Sequence, residues 1–456
     1  MIEADPKKSG ERPAGVFYGW WIVAFSMVAE AVKHGTFMRG FTVFVLPIEK
    51  QLGITRTAVS LADSVGRLEG GLQGPVMGYL TDRLGPQPMI AAGGLLTGLG
   101  FILLSFTHSY WYFMLVFVAL LAVGFRTGYD NATVPAVNQW FLRKKSLAMS
   151  LTSTGRALGG VAIIPLMAAV VEGLGWRIAA LMCGVGIIVV VMPLALLIRR
   201  SPESMGLLPD GDARRPEPRA RAVGLRQDTP PNPGAGRRFA AGALAAPARG
   251  SIDFTAREAM KTPSYWLYVA GVGLRNAVFA GTSFHMVPLM VWAGTSEPKA
   301  ALLVGLLAFG TLLFNPIVGW MGDIWSKQKI SAAAMVVGAL AMLMLLPGNR
   351  HLWQLALVVL LLAFSESVNP LAWAILGDFF GRRSFATLRG WSHLPDQLMS
   401  MTTPVWMGII FDRTDSYVWA LVPLACMSGL SSVFYWTLPL PKPPARLRTR
   451  SLAHDV

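Results

Sequence analysis

Gly78-Tyr79-Leu80-Thr81-Asp82-Arg83-Leu84-Gly85 closes one apolar run of the chain, and Gly319-Trp320-Met321-Gly322-Asp323-Ile324-Trp325-Ser326-Lys327 closes another. Gly78 to Gly319 and Asp82 to Asp323 are both steps of 241 residues, and Pro47 to Pro288 repeats that step. Trp140-Phe141-Leu142-Arg143-Lys144 matches Phe379-Phe380-Gly381-Arg382-Arg383 at a step of 239, which Pro165 and Pro404 share. Five matches in one order at nearly one spacing mark a tandem duplication.

Working outward, apolar runs fall at about 18–47, 57–80, 88–107, 111–135, 146–171 and 176–198. After a gap they resume at about 264–293, 299–322, 329–347, 351–376, 390–411 and 416–438. Each is long enough, at 1.5 Å per residue, to cross a hydrocarbon layer of ~30 Å. Of the 456 residues 53% are hydrophobic and only 14% charged. A soluble domain carries roughly 25% charged residues, so a water-facing surface is excluded. The expected fold is an all-α membrane protein with twelve transmembrane helices in two pseudo-symmetric six-helix halves. The divisions are a tail 1–17, a half 18–198, a linker 199–262, a half 263–438 and a tail 439–456. The linker includes Arg214-Arg215-Pro216-Glu217-Pro218-Arg219 and Thr229-Pro230-Pro231-Asn232-Pro233-Gly234, and only two aromatics. It cannot bury enough apolar area to offset ordering entropy, so it reads as disordered. The exception is a short helix near 252–261, capped by Ser251 or Asp253. The first apolar run is too long for a signal-peptide core and lacks a small-residue cleavage site, so it reads as a retained helix.

The net charge of +15 could suggest nucleic acid, but the basic residues lie in short loops and the linker. No aromatic–basic platform accompanies them, and no nucleic-acid partner is expected. Of 40 Lys and Arg, 28 fall on the tails and the loops after even-numbered runs, against 6 on the other loops. That asymmetry places both termini in the cytoplasm and the chain in the cell membrane, spanning it many times. Cys183 and Cys426 fall inside apolar runs, which argues against a disulfide or a metal site. There is no nucleotide loop, nucleophile–base motif or catalytic carboxylate pair, so neither an enzyme nor a cofactor is expected.

The same residues carry a resemblance. Gly78, Asp82, Arg83 and Gly85, with the weaker copy at Gly319 and Asp323, look like the signature loop of the major facilitator superfamily and its repeat. Gly19-Trp20-Trp21, Trp140-Phe141 with its basic cluster, Gly175-Trp176-Arg177 and Pro202-Glu203-x-Met205-Gly206-Leu207 resemble the monocarboxylate-transporter and oxalate/formate-antiporter branch. The resemblance covers nearly all of the chain outside linker and tails. It implies secondary transport by alternating access, with a site near the midplane between the halves. The loop also has its own physics: Gly78 and Gly85 allow close backbone approach, and Asp82 can cap a neighbouring helix or pair with a base, latching one conformation.

Ionisable groups inside the membrane cost from ~2.5 kcal/mol upward and therefore face a cavity or a partner. The family lines its cavity with helices 1, 4, 7 and 10, and each carries such groups here. Helix 1 has Glu30, Lys33, His34 and Arg39, helix 4 Arg126 and Asp130, helix 7 Arg275 beside Asn276, and helix 10 Glu366. Arg275 and His34 each lie 13 residues before the matched prolines, hence at equivalent depth, ~20 Å from the outer end. Two readings of the arginines stand side by side. Arg126 and Arg275 hold an organic anion through guanidinium forks, or they pair structurally with Asp130 and Glu366. Arg39-Gly40-Phe41-Thr42-Val43-Phe44 resembles the stretch in which the branch offers a lysine to substrate; an outer-gate ion pair is the other reading. On helix 8 the branch carries an Asp and an Arg four apart before a proline, for proton-coupled anion binding. Here Thr311 and Asn315 precede Pro316, which leaves Glu30 and Glu366 as proton-carrier candidates.

Asp63 and Arg67 are four apart and read as an intrahelical pair. Glu69 is assigned to the interdomain latch, Arg156 to a glycine-lined packing face, and His393 and Asp396 to a gate or cap. The expected function is a carrier of small organic anions. The competing functions are an exporter of hydrophobic or cationic compounds, in which Glu30 and Glu366 would dominate, and a non-transporting membrane receptor.

Overall fold

The computed structural model describes residues 16–53, 56–211, 253–346 and 351–444; the side chains of 56–60, 63, 64, 67, 130, 297 and 301 lie outside that description. So do the Asp63–Arg67 pair and the Asp130 side of any pair with Arg126. Twelve helical spans follow in chain order. They are α1 (residues 18–52), α2 (Arg56–Leu84), α3 (Pro86–Ser105), α4 (Tyr110–Trp140), α5 (Lys145–Leu174) and α6 (Trp176–Leu197). The second six are α7 (residues 263–292), α8 (Glu297–Ile324), α9 (Lys327–Leu343), α10 (Leu352–Phe380), α11 (Phe385–Thr414) and α12 (Val418–Thr437). Among the described residues there is no strand.

Seven of these, α3, α4, α5, α6, α8, α10 and α12, are long and apolar enough by composition to cross a membrane. The other five fall short for a reason that bears on function. α9 has only 17 residues, while α1, α2, α7 and α11 are diluted by charged and amide side chains such as Glu30, Glu69, Arg275, Asn276 and Asp396. The outer faces stay apolar: Leu72, Val161, Leu166, Val189, Leu302 and Val405 are all more than half exposed. Exposed tryptophans ring both ends, Trp21, Trp325 and Trp436 at the face carrying the termini and Trp111, Trp353 and Trp419 at the opposite face. Amphipathic indoles settle at membrane–water interfaces, so these belts mark the bilayer's two edges.

The halves meet through α2 on α11 and α5 on α8, a pseudo-twofold arrangement. Both contacts tighten toward the termini face. A Cβ on Gly78 would overlap the Ala386 carbonyl oxygen, and one on Gly319 would press into Ser150. Gly85 has φ +93°, a left-handed conformation that glycine adopts without strain, and this lets α2 turn directly into α3. One apolar core runs from Ile22 and Phe44 in the first half to Leu371, Phe380 and Tyr435 in the second. A second core, with Met286, Leu303, Leu355 and Leu421, belongs to the C-terminal half alone, toward the opposite face. The molecule is closed at the termini face.

The two described ends of the stretch 199–262 are ordered, unlike the disordered linker expected of it. Residues 199–211 are folded, with a 3₁₀ turn Pro202–Met205, and Asp210 accepts from the backbone N–H groups of Leu142 (3.1 Å) and Arg143 (2.9 Å). At the other end a helix spans Ala256–Met260, capped not by Ser251 or Asp253 but by Thr255, in a reciprocal capping box with Glu258. Asp253 instead accepts from Arg382 N–H at 2.7 Å. Composition missed these ends because their partners lie in distant loops. Residues 212–252 fall outside the description.

Candidate functional site

α1, α4, α5 and α10 are broken near mid-depth, close to where the charges sit. α1 widens into a π-helical turn at His34–Met38 before resuming at Thr42–Leu52. α4 does the same at Arg126–Asp130, and α10 stops at Glu366 and restarts at Asn369, with Pro370 in its first turn. Such π turns are rare and frequently mark functional sites. α7 is interrupted at His285, whose ring bonds Tyr417 and the Pro404 carbonyl, both at 3.0 Å.

On the N-terminal side the charges converge on Glu30. This buried carboxylate lies 2.9 Å from Lys33 Nζ, receives the Thr133 hydroxyl at 3.1 Å, and has His34 Nε2 and Arg156 Nε each at 3.9 Å. Arg156 also donates to Ser153 and lies over the Trp373 ring at 5.3 Å, so it reaches from α5 across to α10. Its expected role as part of a packing face is thus too small; the packing belongs to Gly155 and Gly159, which sit against the Met27 and Ala31 carbonyls. Trp373 carries a second guanidinium, Arg389 of α11, at 4.8 Å.

On the C-terminal side Arg275 is 5% exposed. Its Nη2 donates to Asn276 Oδ1 and, at 2.7 Å, to Asn369 Oδ1 of α10. Asn276 in turn donates to Asp396 Oδ1 at 2.6 Å. Arg275 Nε is buried without a hydrogen-bond partner. The direct Arg275–Glu366 ion pair considered above is therefore replaced by an amide bridge. Glu366 makes no close ion pair among the described residues; the cations whose charge acts on it are Arg39, Arg156 and Arg275. Asp396, read as a gate or cap, is the buttress of this chain of bonds, with His393 at 3.7 Å.

Arg126 occupies a different place. Its guanidinium rests on Gly70 of α2, and Glu69 is a carboxylate in its field. Glu69 thus faces Arg126 and not the interdomain latch, with Oε2 buried and unpartnered among the described residues. Arg39 is exposed at the break in α1, its carbonyl accepting from Thr42 at 2.7 Å. The structure gathers Lys33, His34 and Arg156 on Glu30, and Arg39, Arg156 and Arg275 around Glu366.

At the termini face Asp82 reaches across to the first turn of α11. It accepts from Ala386 N–H (3.1 Å), Thr387 N–H (2.8 Å) and the Thr387 hydroxyl (2.6 Å). Asp323 does the same to the first turn of α5, through Ser146 N–H (2.8 Å) and Leu147 N–H (3.1 Å). Each half thereby satisfies otherwise orphaned N–H groups of the other. The residues 34–293 and 276–453 match the family model of the Major Facilitator Superfamily. The chain belongs to the major facilitator superfamily. Within that superfamily it is 25% identical over 411 residues to human monocarboxylate transporter 6, spanning 88% of this chain and 76% of that one. Bovine monocarboxylate transporter 13 is 24% identical, over 92% of this chain and 89% of its own. Bacillus subtilis YcxA, an uncharacterized MFS-type transporter, is 19% identical over 91% and 93%. Among solved structures, the major facilitator transporter FucP in the outward conformation superposes with a TM-score of 0.66 at 14% identity, over 92% of this chain and 100% of that one. The human organic anion transporter MFSD10 gives 0.65 at 14% identity, over 92% and 99%. These two establish the fold.

Further bonds cross the halves at this face. Gln139 and Arg382 exchange side-chain-to-carbonyl bonds at 3.0 and 2.7 Å, and Lys145 of α5 meets Asp378 of α10 at 2.9 Å. Arg83 is exposed, and among the described residues its carbonyl accepts from Arg200 at 3.3 Å while its side chain takes no part in the capping. Sequence reasoning missed Asn369, Trp373, Arg389, Lys145 and Asp378. The i+3 step from Glu366 to Asn369, next to Pro370, was the one signal that could have flagged the α10 break.

Proposed function

We propose that this major facilitator protein carries a small organic carboxylate across the cell membrane by alternating access, with Arg275 as the anchor. The observation that carries this reading is a guanidinium held in one orientation by Asn369 and Asn276, with Nε buried and unspent. An unsatisfied buried donor costs about 1–3 kcal/mol, which an arriving carboxylate returns as a charge-assisted hydrogen bond. The monocarboxylate transporters among its relatives favour the same substrate chemistry. Arg39, exposed at the break in α1, adds positive charge along the path, where Lys33 and His34 stand beside Glu30 and Arg126 beside Glu69. Glu366 competes for the charge of Arg39, Arg156 and Arg275; protonating it frees that field for the substrate anion, which would make the carrier a proton symporter. Asp82 and Asp323, with Gly78, Gly85 and Gly319, form the latch that holds the termini face shut, and that face is cytoplasmic. The exporter reading is weaker because Glu30, one of its two carboxylates, is already occupied by Lys33 and Thr133.

The test is uptake into proteoliposomes of radiolabelled carboxylates, sugars, amino acids and cationic drugs, with and without an inward proton gradient. Carboxylate uptake lost in Arg275→Ala and uncoupled from the gradient in Glu366→Gln supports the reading. Carboxylate uptake indifferent to Arg275→Ala, or uptake of cations alone, overturns it.

A further inference from the structure

A cavity of about 330 Å³ lies in the N-terminal half between α1, α5 and α6, away from every charge of the candidate site. It opens sideways: Leu166 of α5 and Met182 and Val190 of α6 line it and are themselves exposed on the lipid-facing surface. Its side-chain polar groups are the Cys183 thiol and the buried Thr36 hydroxyl, which already donates to the Val32 carbonyl at 2.8 Å. Water needs two to four polar partners to stay in such a space, so the cavity is dry. From Ala179 to Val190 it follows α6 for 11 residues, ~16 Å of helix axis, running from the end opposite the termini to mid-depth. One leaflet's share of a ~30 Å hydrocarbon layer is roughly 15 Å, so the cavity spans the depth of a single acyl chain. Its volume agrees: an apolar cavity of roughly 150 Å³ takes a benzene, so this one takes about twice as many carbons.

We propose that this cavity is a site for one acyl chain of a phospholipid in the leaflet opposite the termini. Lipid tails are as apolar as its walls, so transfer from water does not drive the binding. The drive is dispersion, because walls facing an unfilled space lose those contacts outright. A protein interface would place aromatic anchors at its centre, and the exposed side chains along this opening are leucine, methionine and valine. The chain also touches a working part of the fold. Gly35 packs against Ile163 and the Gly159 carbonyl, so the widened turns His34–Met38 of α1 and Gly159–Ile163 of α5 meet at the back of the cavity. An acyl chain seated there braces both turns from the lipid side, behind the segment that carries Lys33 and His34.

The experiment places the full chain in phosphatidylcholine nanodiscs doped with the same lipid carrying a mid-chain diazirine, and maps the photolabel by mass spectrometry. Label on residues 163–170 and 179–190 is expected to exceed, several-fold per exposed residue, that on the lipid-facing stretch 302–317 of α8. Gly186 lines the cavity, and a Cβ added there meets nothing within 4 Å, so Gly186→Leu and Gly186→Phe should fold. They should cut the excess label in order of side-chain size, while Leu302→Phe on α8 leaves it unchanged. Amide exchange at 34–38 and 159–163 should slow when phosphatidylcholine is added to the detergent-purified chain. Label spread evenly over α5, α6 and α8, or excess label that neither Gly186 variant reduces, overturns the site. Protein–protein crosslinks through 163–170 and 179–190, in discs wide enough for two copies, overturn it in favour of a second copy on this face. Excess label without slower exchange at the two turns overturns the bracing.

Discussion

Arg275 and Glu366 show how one residue's worth depends on what already holds it. Arg275 keeps its orientation through Asn369, Asn276 and Asp396, three side chains on α10, α7 and α11. Arg275→Lys keeps the charge but loses both the fork and the fixed Nε, so carboxylate affinity should fall roughly 10- to 100-fold, read by ligand-induced shifts in unfolding temperature. Asp396→Ala removes only the far end of the chain. It leaves the Asn276 amide without its acceptor and should lower stability by about 1–3 kcal/mol, with weakened substrate binding as the distinguishing readout. A variant that loses stability but binds as before would show that Asp396 serves the fold alone. None of these links was legible in the sequence, because Arg275, Asn369 and Asp396 lie on three separate helices. Composition and spacing could mark Arg275 as a membrane-buried charge, but a partner 94 or more positions away leaves no local signal.

At the scale of elements, the sequence was most informative where the duplication repeats. The offset of 241 made Asp82 and Asp323 equivalents, and the structure gives each the first turn of a helix in the other half. Which helix each would reach was not readable, since that depends on how α2 lies on α11 and α5 on α8. The breaks in α1 and α4 also escaped, although Gly35 and Gly128 lie within the widened turns, because glycine is frequent along these helices and marks no turn by itself. Asp82→Ala and Asp323→Ala should each remove about 1 kcal/mol of capping from the closed face, a roughly fivefold shift toward its opening. The two sites share no partner, so the double variant should show nearly the sum. Maleimide labelling of Ser150→Cys, buried against Gly319, in a background lacking Cys183 and Cys426 measures it; unchanged labelling would refute the role. Glu203 adds a pH dependence. Partial burial raises its pKa, but its own backbone N–H, the Ser201 hydroxyl and the Arg382 guanidinium outweigh that and hold it below the usual carboxylate range. A depressed pKa means a contribution fully present above the ordinary value of ~4.3 and lost as pH falls through the folded value. Glu203→Gln should therefore remove a small acid-side loosening of the Arg382 contact, measured by hydrogen exchange of residues 381–384 between pH 6 and 3.

For the whole molecule, the two halves share one apolar core that bridges them toward the termini face, while a second core of the C-terminal half stands apart toward the opposite face. Asp82, Asp323, Lys145, Gln139 and Arg382 make polar ties across that face, and opening it would break them together with the apolar packing the halves share there. The fold itself is the most legible level, because twelve apolar runs and a repeat survive any uncertainty about contacts.

The reciprocal donation of the two aspartates has a consequence of another kind. A carboxylate given by one half to the other, and returned at the matching place, is the pattern of an isologous interface, the commonest route by which identical subunits pair. A half-length ancestor carrying a single aspartate would have been sticky to its own copy in two places at once. The present chain keeps that self-complementarity inside one polypeptide, where fusion has let His34 and Arg275, at matching places in the two halves, drift to different partners.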